Sequence, residues 1–172
     1  MTTDKKISLA ENNLQRINQW ILHSDQKVGV ALIFQAGLPA FLATSKADDV
    51  KKIITSPIFD LVHFVLYVSL LLFVFFIFKG IFCSFKALYP DITVREASLF
   101  FFGSIANQGL NRFRREFSAL TDVHAEEDIN GQVFINSQIA VKKFSNVKES
   151  ITCTLYSAIF WFVSIILISY LK

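Results

Sequence analysis

The sequence predicts an all-α membrane protein with about three transmembrane helices, whose long helices continue into a cytoplasmic helical bundle. Two long runs carry no charged residue, Leu61 to Phe78 and Thr152 to Leu171, and they are 18 and 20 residues long. A polar stretch of mixed charge, residues 79 to 151, separates them. The chain is 53% hydrophobic with 19 Phe, which is high for a soluble domain. These observations indicate a small membrane protein and not a globular enzyme.

The two charge-free runs are each long enough to be a transmembrane helix. A helix rises about 1.5 Å per residue, so runs of this length cross a hydrocarbon layer roughly 30 Å thick. Neither run contains Pro or Gly. We predict spans at residues 61–82 and 151–171. His63, near the start of its run, is either an interfacial histidine or a proton-sensitive pore residue.

A third apolar run, Val28 to Ala43, is shorter and carries Gln35, Gly37 and Pro39. By length it fits a buried helix, a re-entrant segment or a tilted span. We interpret it as a span over residues 28–45, with Gly37 permitting close helix contact. A short outer loop would then occupy residues 46–60.

The distribution of Lys and Arg predicts the orientation. Four lie in the N-terminal arm, three in the loop after the first span, nine in residues 79–151 and one at the C-terminus. Three spans place the arm and the long segment on one side, 13 basic residues against 4, so that side should be cytoplasmic. With two spans the bias falls to 9 against 8. The mild net charge of +3 implies no nucleic-acid partner.

The N-terminal arm, residues 1–27, has the pattern of an amphipathic helix continuous with the first span. Apolar or small residues recur at steps of three and four along it, at Ile7, Ala10, Leu14, Ile17, Ile21, Ser24 and Val28. A second stripe carries Asn13, Arg16, Trp20 and Lys27. Either Trp20 is an interfacial anchor on a solvated face, or this stripe is one wall of a polar pocket.

The segment 83–150 is predicted to be a cytoplasmic helical sensor region. Asp91 to Ala97 should form a turn followed by a short helical start, and a short helix should span Leu110 to Leu120. Between them, three Phe precede Gly103 and Ser104 and should be buried against other helices or dipped into the membrane interface. The Gly-Ser step is either a plain turn or a loop-to-helix junction whose N–H groups suit an anion.

The last helix is predicted to start near His124 and to continue into the final span, nearly 50 residues in all. Acidic residues in its first turn offset the helix dipole. Gln132, Asn136 and Lys143 share one face. They are either register-fixing polar residues of a bundle, or a recognition face whose amides meet a nucleobase edge and whose Lys143 meets a phosphate.

The sequence favours neither catalysis nor a metal cofactor. No nucleophile stands beside a plausible base, and three scattered His without a CxxC motif do not support a zinc site. Cys83 and Cys153 would lie near the cytoplasmic interface, where thiols stay reduced. His124 with its acidic neighbours is read as a helix start, so we predict that the protein is not an enzyme.

Three segments resemble the membrane effector proteins of the bacterial Pycsar antiphage systems, over about four fifths of the chain. They are RINQWIxxxDxKVGVALIFQAG (Arg16 to Gly37), YPDI followed by SLFFFGSIA (Tyr89 to Ala106), and EEDINGQVFINSQIAVKKF (Glu126 to Phe144). The resemblance implies that a partner cyclase makes a cyclic pyrimidine mononucleotide, cCMP or cUMP, during phage infection. The effector would bind this nucleotide through its cytoplasmic helices and compromise the bacterial inner membrane, causing abortive infection. We expect it to act as a homo-oligomer in the lipid bilayer.

Carried over by motif, the resemblance marks residues in the arm, the loop and the last helix, namely Trp20, Asp25 and Lys27, then Phe101, Phe102, Gly103 and Ser104, then Gln132, Asn136, Lys142 and Lys143. Our hypothesis for ligand binding is that Lys143 or Lys27 and the Gly103 amide region meet the phosphate, while Trp20 stacks on the base. Ser104, Gln132 and Asn136 would complete this site. The alternative is a constitutive structural or scaffold membrane protein without a small-molecule ligand.

Overall fold

The protein is described by a computed structural model that covers residues 2–55, 60–89 and 98–171. In these ranges the chain forms six helices and no strand, namely α1 Thr3–Ser45, α2 Ala47–Thr55, α3 Leu61–Leu88, α4 Phe102–Asn107, α5 Leu110–Ser118 and α6 Asp122–Tyr170. The turn predicted for Asp91 to Ala97 lies outside the described residues. The short helix predicted after it is α5.

Three of the helices, α1, α3 and α6, are long and apolar enough to cross a membrane. In the most apolar 18-residue window of each, at most 28% of the residues are buried inside the chain. Most of these apolar side chains therefore face outward, where lipid can cover them. The predicted fold class, an all-α membrane protein with about three spans and long helices, is confirmed.

The two longest helices run without a break, as their sequences indicate. The N-terminal arm and the first span form the single 43-residue helix α1, with Pro39 inside it, and α6 extends over 49 residues. The segment 46–60, expected as an outer loop, contains the nine-residue helix α2.

Two compact units divide the chain. The first, called here the polar unit, comprises Met1–Ser24 and Pro90–Lys143, of which residues 2–24 and 98–143 are described. The second, the membrane unit, comprises Asp25–Tyr89 and Phe144–Lys172. Both α1 and α6 contribute residues to both units. The polar unit also holds α4 and α5, and the membrane unit holds α2 and α3.

Small residues line the packed face of α6 in the membrane unit. Ser150, Ser157 and Ser164 follow each other at intervals of seven residues, and each is fully buried. Small side chains allow membrane helices to approach closely, where van der Waals packing and hydrogen bonds hold them together. Ser164 shares a hydrogen bond of 2.7 Å with Ser69 of α3, so one of these close contacts also carries a polar bond.

The close helix contact that we predicted at Gly37 is wrong. A Cβ added at Gly37 would meet no described atom within 4 Å, whereas one added at Gly80 would lie 2.8 Å from Gln35 Nε2 and 3.4 Å from Cys153 Cβ. The tight approach is therefore at Gly80. Sequence marks where a glycine stands but not which neighbouring helix it faces.

Candidate functional site

A short turn before α4 is fixed by side-chain acceptors of the polar unit. Asp128 of α6 accepts a hydrogen bond of 2.7 Å from the Leu99 N–H. The Ser98 hydroxyl accepts bonds of 3.1 and 3.0 Å from the N–H groups of Phe100 and Phe101. Three consecutive backbone donors are thus satisfied before the helix begins, and Phe100 is held in place. Asp128 of α6 therefore anchors this turn.

A groove of about 510 Å³ lies in the polar unit. Its lining residues come from α1, the turn before α4, and α6, and they are Glu11, Leu14, Gln15, Asn18, Gln19, Leu22, Phe100 and Ile129. We call it the amide groove, because three of its α1 residues carry amides that both donate and accept hydrogen bonds. Its volume falls within the range of small-molecule sites, roughly 300–1,000 Å³.

Two polar contacts join α1 to α6 within the polar unit. The Asn136 amide Nδ2 donates to Asn18 Oδ1 over 3.0 Å, and Lys6 pairs with Glu126 over 3.3 Å. Asn18 also lines the amide groove. Asn136, one of the predicted site residues, therefore touches a residue of the groove.

The exposed stripe of α1 that includes Trp20 lies away from the groove. Trp20 is 51% exposed and does not line the groove. It lies two positions after Asn18 and two positions before Leu22. At about 3.6 residues per turn, such a step places Trp20 on the opposite side of α1.

The other predicted polar residues are divided between buried positions and the second unit. Gln132 is 7% and Lys143 6% exposed, and Lys143 already has an interaction partner. Ser104 is also buried and has a partner. Lys27 belongs to the membrane unit, where its Nζ lies 5.9 Å from the centre of the Phe144 ring.

The Phe-rich loop motif is only partly buried. Gly103 lies inside α4, and a Cβ there would approach the Phe101 ring to 2.5 Å. Phe102 is 74% exposed, so burial against other helices of the chain is wrong for this residue. For Phe102, the other predicted position, at the membrane interface, stays a prediction.

The membrane unit holds a polar cluster that our prediction of site residues missed. Gln35 is 1% exposed, and its Nε2 donates to Ser150 Oγ over 3.0 Å and to Thr154 Oγ1 over 2.8 Å. Ser84 shares a 2.7 Å bond with Ser150 and donates to Gln35 Oε1 over 3.4 Å. We call these four residues the Gln35 cluster. It joins α1, α3 and α6, and the signal for it was a Gln inside an apolar run.

Hydrogen-bond geometry closes the Gln35 cluster into a ring. If Ser84 donates to Gln35, then Ser150 donates to Ser84, and Gln35 donates to Ser150. The Thr154 hydroxyl donates a hydrogen bond of 2.9 Å to the backbone carbonyl of Ser150. Each buried hydroxyl thus both donates and accepts, as an apolar environment requires.

His63 is part of the N-terminal cap of α3. Asp60 Oδ1 accepts a hydrogen bond of 2.8 Å from the His63 N–H and lies 2.7 Å from its ring Nδ1. The backbone hydrogen bond, and after it the ring contact, hold the pKa of Asp60 below its ordinary value. This arrangement favours a capping role for His63 over that of a pore residue.

The fold and its groove define a small helical membrane protein whose polar unit contains a groove of small-molecule size. Within the described residues, no group of three or more His, Cys, Asp or Glu side chains could hold a metal ion. The sequence model of the Pycsar effector protein domain matches residues 9–169, and the chain belongs to that family. No curated protein and no solved structure matches it.

Membership in this family confirms the resemblance seen in the sequence. It implies an effector role in antiphage defence and a cyclic-nucleotide signal from a partner cyclase. The family is one of effectors and is not a known enzyme family. The matched range includes residues of both the polar unit and the membrane unit.

Proposed function

We propose that the protein binds a cyclic pyrimidine mononucleotide, cCMP or cUMP, through its polar unit and disrupts the bacterial inner membrane in response. The infected cell would then stop before phage release. The observation that carries this proposal is the family match over residues 9–169. The match includes residues of both units, which supports one effector that senses the ligand and acts on the membrane.

The amide groove is the binding place that the geometry supports best. Gln15, Asn18 and Gln19 offer donors and acceptors to a base edge, and Phe100 offers an aromatic face. At positions 4 and 3, cytosine presents a donor and an acceptor, whereas uracil presents an acceptor and a donor. A side-chain amide can rotate to present either group, so this lining is compatible with both bases.

The phosphate needs a cation that the groove lining does not supply, since its charged member is Glu11. Lys143 and Lys27, with the Gly103 amide, are the groups that we proposed from the sequence. Lys143 is buried and engaged. A ligand phosphate that replaced the present partner of Lys143 would stabilise a different arrangement of the polar unit. Only such differential affinity can shift a conformational equilibrium.

The response is proposed to pass along the two helices that belong to both units. A ligand at Asn18 competes with the Asn18–Asn136 bond between α1 and α6. Both helices continue into the membrane unit, where they meet α3 in the Gln35 cluster. With the N-terminus cytoplasmic, as the count of 13 basic residues against 4 predicts, the polar unit faces the cytoplasmic signal. The outward-facing apolar residues would pack against further copies in a homo-oligomer.

Calorimetry on protein in lipid nanodiscs tests the binding proposal. We expect cCMP or cUMP to bind, and cAMP and cGMP to bind at least about tenfold more weakly. Asn18→Ala should weaken binding about tenfold, since a hydrogen bond to the base contributes about 1–1.5 kcal/mol. Asn136→Ala removes the competing Asn18–Asn136 bond and should not weaken binding. Asn111→Ala, an exposed amide of α5, is the matched control. The proposal would be overturned if neither cCMP nor cUMP bound.

The same experiment separates two versions of the site. If the amide groove is correct, Trp20→Ala leaves binding unchanged, because Trp20 lies on the other side of α1. If the residues proposed from the sequence form the site, Trp20→Ala and Lys143→Ala both weaken binding. Loss of binding in those two variants, with Asn18→Ala unaffected, would move the site away from the groove.

Dye release from liposomes tests the membrane step. Added pyrimidine nucleotide should release a trapped dye from liposomes that hold the protein, and empty liposomes should stay sealed. Liposomes that stay sealed although ligand binds would exclude direct disruption. The alternative, a structural or scaffold protein without a ligand, predicts neither binding nor release.

A further inference from the structure

The membrane unit contains a cleft between α3 and α6, apart from the Gln35 cluster and from the amide groove. Its volume is about 320 Å³. Phe76 and Lys79 of α3 line it, together with Lys148, Glu149, Thr152 and Tyr156 of α6. The proposed function uses none of these residues.

The cleft is positively charged. Lys79 Nζ pairs with Glu149 Oε1 over 2.9 Å, which neutralises the carboxylate. This hydrogen bond and the charge of Lys79, with a smaller contribution from Lys86, hold the pKa of Glu149 below its usual value. Among the described residues, no carboxylate pairs with Lys148. Within the described residues, Lys148 is therefore an uncompensated cation of the cleft, and Lys86 adds positive charge nearby.

An aromatic surface lies beside these charges. The Phe76 ring stacks on Phe160 with centroids 5.7 Å apart and an angle of 6° between the planes, and it contacts Tyr156 over 5.2 Å. Tyr156 and Lys79 remain about half exposed. The cleft thus combines cations at one end with an open aromatic wall at the other.

The position of the cleft along the chain matches a membrane boundary. Lys79 is the first charged residue after the run Leu61 to Phe78, and Glu149 is the last before Thr152 to Leu171. Charged groups at such a boundary lie at headgroup depth, and the aromatic side chains beside them reach the acyl region. Basic pockets between membrane helices at this depth suit anionic headgroups.

We propose that this cleft is a binding site for an anionic phospholipid, with Lys148 and Lys79 meeting the headgroup phosphate and Phe76 and Tyr156 flanking the first acyl carbons. A free phosphate would leave the aromatic wall uncovered, whereas a phospholipid covers both ends. The site does not depend on which nucleotide the polar unit binds, and it requires only that α3 and α6 cross the membrane. A lipid bound there would bridge α3 and α6 at the membrane surface.

Thermal unfolding of the full chain in detergent, titrated with defined lipids, tests this site. Phosphatidylglycerol should raise the midpoint more than phosphatidylcholine at the same mole fraction. Lys148→Gln should weaken the apparent affinity for phosphatidylglycerol about fivefold, as expected for one basic residue at an anionic surface. Lys148→Arg should retain it. Lys51→Gln, an exposed lysine of α2, is the matched control and should behave as the unmodified protein does.

Two outcomes would overturn the lipid site. An equal loss in Lys148→Gln and Lys51→Gln would mean diffuse electrostatic attraction without a site. A rise of the midpoint with inorganic phosphate equal to that with phosphatidylglycerol would mean that the aromatic wall takes no part. The double variant Lys79→Gln/Glu149→Gln removes the ion pair without leaving a lone charge, and it should also weaken phosphatidylglycerol binding.

Discussion

The membrane unit and the polar unit differ in the internal contacts that stabilise each of them. In the membrane unit, α1, α3 and α6 meet through the ring of the Gln35 cluster and through fully buried serines. In the polar unit, α5 buries no residue, and exposed apolar side chains include Phe102, Leu110 and Phe117. We therefore expect buried polar bonds to constrain the membrane unit, and the polar unit to rearrange at a smaller cost in free energy. Four experiments would break or sharpen this contrast.

The largest effect is expected at the centre of the α6 packing face. Ser157→Leu inserts a large side chain at a fully buried position, where overpacking costs about 3 kcal/mol. Thermal unfolding in detergent should show a markedly lower midpoint. Ser157→Ala keeps the small volume and should change it little, and Ile166→Leu, at an exposed position of the same helix, is the control for hydrophobic substitution. A fully stable Ser157→Leu protein would mean that this face is not tightly packed.

A double-mutant cycle at Gly80 and Gln35 measures the coupling free energy between Gly80 and the Gln35 cluster. Gly80→Ala places a Cβ 2.8 Å from Gln35 Nε2, so the amide must move and lose hydrogen bonds, at a cost of about 2 kcal/mol. In a Gln35→Ala background the same change should cost much less, because its obstacle has gone. Equal costs in both backgrounds would show that Gly80 is needed for another reason. Unfolding free energies of the four proteins supply the cycle.

The turn before α4 should respond locally. Asp128→Ala removes the acceptor of the Leu99 N–H, a charge-assisted bond that contributes about 1.5 kcal/mol. Hydrogen exchange should accelerate over residues 98–107 and stay unchanged in α3. Glu127→Ala, at an exposed neighbouring position, is the control. Exchange that rose equally in α3 would mean that the two units do not unfold separately.

The smallest effect is a pH dependence at the cap of α3. The pKa of Asp60 is lowered in the folded protein by the His63 N–H, so its ionised form stabilises the fold. This contribution is present above the ordinary value of 3.8 and is lost as the pH falls through the lower folded value. The midpoint of unfolding should fall less with acid in Asp60→Asn than in the unmodified protein. Equal pH dependence of the two midpoints would mean that the ionised Asp60 cap does not stabilise α3.

Periodicity and charge were sufficient to predict α1, α3 and α6, because a helix in lipid must satisfy its own backbone and therefore needs a long uncharged run. The partners of Gln35 could not be predicted in this way. Ser84 and Ser150 lie 49 and 115 residues away in sequence, and nothing local indicates which helix faces the amide. The same reason led us to assign the close contact to Gly37 and not to Gly80.

The candidate site was predicted only in part. Asn136 was named, and it bonds to Asn18, yet the wall that the sequence suggested on α1 runs through Trp20, on the side away from the amide groove. Gln15, Asn18 and Gln19 were available as a signal, since they flank the apolar face of the helix. Which polar flank of an amphipathic helix forms a wall depends on what packs beside it, here Phe100 and Ile129.

The sequence by itself determined the all-α membrane architecture, the long continuous helices and the family. These follow from the lengths of uncharged runs, from the helical period and from motif order, all of which are properties of neighbours along the chain. Only the tertiary structure decided that Gln35 closes a ring with two other helices, that an amide groove forms beside Phe100, and that Lys79 and Lys148 share one cleft. Each of these depends on which helix faces pack against each other, and local sequence patterns do not specify that pairing.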